Sequence, residues 1–363
     1  MKILEISRNG QLYRGQWHKT SLNVFGKPII TREMLIVGNL GGGVAKVLCI
    51  YKICGKKILE SLRHIPDTLW IGTSGMQADF AYDIATDPDL KTKVLTLCAG
   101  LDPQSTDTIM RIISRMHTAY AQGKPYCDIL TEAESEEIAR IRRDFYPKVQ
   151  KIAKGLYYTD GFLSSKPLDD CVILCHHHLH CLLPSTLEAI QHKDIIDVGA
   201  SFGDSALVFQ KYTDKHIYAF EPTNENYTFL LQTIQLNNAT RIIPINKALG
   251  ANASKGQISV YGGSSSLIFD NHTTSHDVEI ITLDSFVRER NIQVGFIKVD
   301  IEGFEQEFLK GAKQTITEQK PAMLISIYHQ ASDFFEIKPM IESWNLGYRF
   351  KVVQPSAATH TTH

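Results

Sequence analysis

Asp197-Val-Gly199-Ala200-Ser-Phe-Gly203 directly follows the apolar run 195–198 and opens an amphipathic stretch. In that setting glycine lets the backbone approach a bound ligand closely. A dinucleotide fingerprint requires Gly-x-Gly-x-x-Gly, yet Ser201 stands at its second glycine and an acid precedes the first, which argues against NAD. Glu221 ends the next apolar run, 217–220. An acid at the tip of each of two adjacent strands suits a nucleoside without a pyrophosphate. Asp197 can meet a cationic amino group, directly or through water, and Glu221 can accept from both hydroxyls of a ribose. The plainer alternative is an ordinary strand-to-helix turn with two chance carboxylates.

A third motif, Lys298-Val-Asp300-Ile-Glu302-Gly303-Phe-Glu305, ends the apolar run 296–299, and Ile327-Tyr328-His329 ends the run after that. With Phe220-Glu221-Pro222 and Leu283-Asp284, these motifs resemble, in order and spacing, the FkbM-type family of S-adenosylmethionine (SAM)-dependent methyltransferases over about residues 194–354. The resemblance implies a Rossmann-like, doubly wound class I methyltransferase domain and O-methylation of a sugar or similar hydroxyl. It implies SAM-binding positions at Asp197, Gly199, Ala200, Gly203 and Glu221, and an acidic signature at Asp300 and Glu302. Moving a methyl group from a sulfonium to a hydroxyl needs alignment and a base for the departing proton. Asp300, His329 and Glu302 are the candidates, because neighbouring parallel strands bring their C-terminal ends to one rim. The competing readings are a helix cap for Glu302, a satisfied structural histidine for His329, and for Lys298 a partner that keeps Asp300 ionised.

Three other clusters invite chemistry. Cys171, Cys175, His176, His177, His178, His180 and Cys181 crowd into eleven residues, but they lack the paired two-residue spacing of common zinc motifs. A strand or linker without metal is the default. Gly38 to Gly43 and Gly72 to Gly75 lack the Lys-Ser/Thr of a phosphate-binding loop and read as turns. Ser264, Ser265 and Ser266 follow two glycines and read as a flexible turn that could also line a cleft.

The elements that must position these residues alternate strand and helix through the second half, which implies a parallel sheet with ligands at the carboxyl ends of its strands. Alternation over residues 257–283 suggests a hairpin inserted beside the site. A strand at 68–71, a helix to about 85 and a strand at 94–97 suggest a smaller α/β domain before it. The expected division is an N-terminal α/β domain at 1–130, a helical and extended linker at 131–186, and the methyltransferase domain at 187–363. Residues 348–353 are expected to form the first arm of a closing hairpin whose return strand is missing.

At 43% hydrophobic and 21% charged, the composition is that of a soluble globular protein. A net charge of -1 gives no global pull toward nucleic acid, so a small-molecule or glycan acceptor fits better. The apolar stretch 34–51, broken by Asn39, Lys46 and glycines, reads as domain core and not as a membrane span. Seven cysteines and an N-terminus of mixed charge suggest a reduced, cytoplasmic setting. A second functional reading, from a different class, is a protein that holds SAM or a related nucleoside without turnover.

Overall fold

The computed structural model of this chain describes residues 3–8, 11–24, 27–39, 46–53, 56–64, 76–122, 130–261, 264–266 and 275–354. The chain divides into two compact units: residues 1–88 with 110–130 and 360–363, and residues 89–109 with 131–359. In the first, β1 (Ile3–Arg8), β2 (Gln11–Val24), β3 (Lys27–Asn39), β4 (Lys46–Ile53) and β5 (Lys56–His64) form an antiparallel meander in chain order. Of the stretch 34–51, residues 34–39 fall in β3 and 46–51 in β4, and the rest lie outside the described residues. Helix α1 (Met76–Thr86) follows, with Phe80, Ala81 and Ile84 buried. The strand expected at 68–71 and the glycine turn at 72–75 lie outside the described residues.

The strand expected at 94–97 is instead part of helix α2 (Leu90–Cys98). The reason lies in the spacing: Leu90, Val94 and Leu97 recur at helical intervals, so Leu97 is buried while Leu95 is exposed. Helix α3 (Pro103–Gln122) comes next. The charged run after it forms α4 (Glu132–Asp144), started by a capping box in which Thr131 and Glu134 satisfy each other's backbone N–H groups. Only Ile138 and Ile141 of this helix are buried, as a solvated helix requires. β6 (Gln150–Ala153), β7 (Leu156–Thr159) and β8 (Phe162–Ser164) then form a small antiparallel sheet. The Cys/His cluster is helix α5 (Asp170–Cys175) and a turn, where a strand or linker was expected, and α6 (Pro184–Ile190) leads into the main sheet.

That sheet is parallel. Its first half is β9 (Asp194–Val198), α7 (Asp204–Phe209), β10 (Ile217–Phe220), α8 (Asn224–Leu236) and β11 (Ile242–Ile245). An insertion follows, comprising β12 (Ala248–Leu249), β13 (Ser254–Tyr261), β14 (Ser264–Ser266) and β15 (Ser275–Ile281), in which β15 pairs antiparallel with β13. Within the alternation over 257–283, the described residues 257–259 and 275–277 form this pairing. Helix α9 (Leu283–Arg290) returns the chain to β16 (Val294–Val299), after which α10 (Glu305–Gly311), α11 (Lys313–Gln319), β17 (Ala322–Ile325) and α12 (Ala331–Glu342) complete the unit.

Sheet order is β11-β10-β9-β16-β17. β16 is buried throughout and β9 and β10 nearly so, which is why they read as largely apolar runs. Phe209 meets Phe296 and Phe220 meets Phe286 edge-to-face, at 5.6 and 4.9 Å between ring centroids. Each such side chain contributes about 1.5–3 kcal/mol through burial. The chain winds outward from β9 through β10 to β11, then comes back to β16 on the other side of β9. The strand order thus reverses at the carboxyl ends of β9 and β16, the position where open α/β sheets bind ligands. Residues 348–353 form no strand. The Val352 N–H donates to Ser105 Oγ at 3.0 Å and Tyr348 Oη to the Pro321 carbonyl at 2.9 Å, so side chains and loops, in place of a ladder, hold this segment.

Candidate active site

The glycine turn fills the reversal point. Gly199 has φ +78°, and a Cβ there would lie 1.9 Å from the Asp300 carbonyl oxygen, so no other residue lets β9 and β16 end this close together. The N–H groups of Gly199 and Ala200 both donate to the Phe220 carbonyl, at 3.0 and 2.9 Å, and the Asp300 N–H donates to the Val198 carbonyl at 3.0 Å. Gly203, with φ +88°, starts α7 close against Leu230 of α8.

Beneath the turn, Lys298 lies opposite Asp197 across the β9–β16 ladder. Its ammonium sits 3.3 Å from Asp197 Oδ1 and donates to the Gly199 carbonyl at 2.7 Å. Burial opposes its charge, but Asp197, Asp300 and Asp204 outweigh that and raise its pKa. Ser205 Oγ donates to Asp197 Oδ2 at 2.5 Å. Asp197 is wholly buried, with one oxygen on Ser205 and the other on Lys298.

Glu221, also buried, lies one strand away. Its Oε1 accepts from the Thr223 N–H (2.9 Å) and hydroxyl (2.6 Å), and its Oε2 from the Ser201 N–H at 3.0 Å. Burial raises its pKa despite these donors. A carboxylate has about four acceptor positions, so three internal bonds leave capacity for a ligand hydroxyl.

On the other side of the turn, the acidic motif and His329 form one cluster. The imidazole is fully buried, with Nδ1 3.0 Å from Glu305 Oε1 and Nε2 3.4 Å from Asp300 Oδ1 and 3.7 Å from Glu302 Oε2. Burial alone would lower its pKa, but the three carboxylates push it up to about 9, so the ring is an imidazolium at neutral pH. Burial likewise opposes ionisation of Asp300. The charges of Lys298 and His329 and hydrogen bonds from Ser326 and Tyr328 overcome it and hold the carboxyl below its ordinary range. Lys298 therefore serves both acids, Asp197 by contact and Asp300 through its field.

The structure brings Asp300, Glu302 and His329 together as expected, and adds Glu305, Tyr328 and Asp333. The Glu305 carboxylate reaches back to the Ile301 N–H at 2.9 Å, the part a helix-start acid plays, while Glu302 itself takes a left-handed φ of 58°. Tyr328 Oη donates to Asp300 Oδ1 at 3.1 Å. Asp333 is pushed up to about 7, first by burial and then by Glu305. Glu305 was visible in the motif but not its role, since its partner lies 24 positions further along the chain.

Residues 197–350 match the model of the Methyltransferase FkbM domain. Among solved structures the chain is similar to a methyltransferase FkbM from Methylobacillus flagellatus, at 21% identity and a TM-score of 0.48, over 77% of this chain and 58% of that one. It is also similar to Trm5b from Pyrococcus abyssi, at 14% identity and a TM-score of 0.25, over 46% of this chain and 38% of that one. A third similarity is to M. jannaschii TYW2 in complex with AdoMet, at 15% identity and a TM-score of 0.22, over 48% and 62% of the two chains. The chain spans less than two thirds of the length of each of them. No curated protein matches it. The glycine turn at the reversal of the sheet and the acidic cluster beside it both lie within the residues, 197–350, that match the methyltransferase FkbM domain.

Proposed function

We propose that this chain is a SAM-dependent O-methyltransferase that modifies a hydroxyl of a sugar or glycan-like acceptor. The observation that carries the reading is the glycine turn at the reversal of the sheet, flanked by the buried Glu221 on one side and the Asp300–His329 cluster on the other. The residues fit a SAM molecule: the glycine turn ends at the reversal of the sheet, and Glu221 beside it keeps acceptor capacity for a ribose hydroxyl. In this reading Gly199, Ala200 and Gly203 line the cofactor, Glu221 accepts from its ribose, and Asp197 holds the turn from below through Lys298. When bound, SAM supplies an electrophilic methyl group on a sulfonium.

Asp300 then does the proton chemistry. Its Oδ1 is engaged by His329 and Tyr328, which fixes the carboxylate so that Oδ2 can orient the acceptor hydroxyl and take its proton. Already protonated, His329 acts by positioning Asp300 and Glu302 and not as the base. The site lies in the unit made of residues 89–109 and 131–359, which also contains the segment 131–186 expected as a linker. Among the described residues no helix is long and apolar enough to cross a membrane, and we place the enzyme in the cytoplasm, acting on small or glycan acceptors and not on nucleic acid.

Calorimetry with SAM against NAD, followed by methyl transfer from labelled SAM to a panel of sugar and glycan acceptors, tests the reading. SAM binding without transfer to any of them would favour a non-catalytic binder. Loss of charge-assisted hydrogen bonds in Glu221→Ala is expected to weaken SAM binding by about 1–3 kcal/mol, and unchanged affinity in calorimetry would remove its ribose role. Asp300→Asn keeps the shape but cannot take a proton. Turnover should fall by about 10²–10⁴-fold with little change in SAM affinity, and an active variant would dismiss Asp300 as the base.

A further inference from the structure

His176, His177 and His178 all take left-handed backbone, with φ of 47°, 49° and 64°. For residues other than glycine each costs roughly 1–2 kcal/mol, and three in succession persist only where the surroundings hold them. The turn folds the end of α5 back on itself. Cys171 and Cys175 share a face of that helix, four residues apart. His178 Nε2 comes within 3.8 Å of Cys171 Sγ, and His180 Nε2 within 3.3 Å of Cys181 Sγ. Cys175, His178 and His180 each bring a ligand atom within 4.8 Å of the others. All three cysteines are free thiols.

We propose that this turn is a metal site, in which Cys175, His178 and His180, completed by Cys171 or Cys181, hold one zinc ion. Two ligands at zinc bonding distances, a sulfur at ~2.3 Å and a nitrogen at ~2.0 Å, sit roughly 3.5 Å apart across a tetrahedron. The sulfur-to-nitrogen separations of the two candidate fourth ligands, 3.8 Å for Cys171 and 3.3 Å for Cys181, lie on either side of that value. His180 also carries the usual support of a ligating imidazole: its Nδ1 meets the Cys175 carbonyl at 2.7 Å, which leaves Nε2 to coordinate. Mixed thiolate and imidazole donors favour zinc over the hard cations. As each sulfur–zinc bond forms, that cysteine gives its proton to solvent. His180 is exposed and gives the ion a path in.

The remaining histidines reach the two ends of α7. His176 Nδ1 lies 2.5 Å from Tyr212 Oη, and His177 Nε2 lies 3.7 Å from Asp204, the residue that follows Gly203. A metal here would brace the histidine turn against both ends of α7. The chemistry is separate from methyl transfer, so its test needs no activity.

The full chain is purified without chelator under reducing conditions and its metal content measured, then stripped and titrated with cobalt(II). About one equivalent of zinc is expected, together with the thiolate-to-cobalt charge-transfer and intense d–d bands of a tetrahedral site. Cys175→Ser and His178→Asn should each weaken cobalt binding roughly tenfold or more, and comparing Cys171→Ser with Cys181→Ser identifies the fourth ligand. A stripped, folded wild-type protein that develops no charge-transfer band with cobalt overturns the proposal. So does a band of full strength in Cys175→Ser. Should the variants fail to fold, the wild-type titration decides alone.

Discussion

His329→Leu is expected to lose about 3–5 kcal/mol of stability, because it removes the cation that three carboxylates share inside the protein and leaves them facing one another. The pH dependence gives the same group a second signature. Its folded pKa of about 9 lies above the ordinary value near 6.5, so its contribution is complete below about pH 6.5 and is lost as pH rises through 9. Asp333, pushed up to about 7, has the same sign but spends its contribution between its ordinary value and 7. The window from pH 7 to 9 therefore reports His329. Denaturant midpoints in wild type should fall across that window, and in His329→Leu they should be low and nearly flat. Equal midpoints at both ends of the window in wild type would mean that the imidazolium carries no stability.

Gly199→Ala is expected to be nearly as costly, for a different reason. Left-handed backbone costs an alanine roughly 1–2 kcal/mol, and overpacking adds about 1–3 kcal/mol, here against backbone oxygen that no rotamer change can move aside. Because that oxygen belongs to Asp300, the strand ends must part, and SAM binding should fall with stability. Gly347→Ala is the control: its φ is the same, +78°, but a Cβ there meets nothing within 4 Å. Thermal melts of the two variants separate strain from collision. If they lose the same amount, the close approach of the strands is not what demands glycine at 199.

The parts of the fold that repeat at short range were legible in the sequence. β9, β10 and β16 announce themselves as apolar runs that stop at a glycine or an acid, because a strand covered on both faces has no polar side to show. α2 was not, because 94–97 in isolation is rich in strand-forming residues, and only Leu90 one turn earlier discloses the helical face. The candidate site divides in the same way. Gly199 and Glu221 follow from one strand and the turn after it. The clustering of His329 with Glu305, like the seclusion of Asp197, depends on contacts between distant segments. Nothing local marks three left-handed histidines in a row either, since propensity favours that backbone for glycine and asparagine.

The Lys298 ammonium ties to a glycine 99 positions upstream, and β9 pairs with β16 over a nearly equal interval. Closing a loop of that length costs about 4 kcal/mol of chain entropy before any contact repays it. During synthesis, β9, β10 and β11 leave the ribosome long before their neighbour β16 exists, so one flank of the nascent ribbon offers unpaired amides and carbonyls to whatever strand is nearby. Expression yield in this protein should therefore depend on how quickly translation reaches β16.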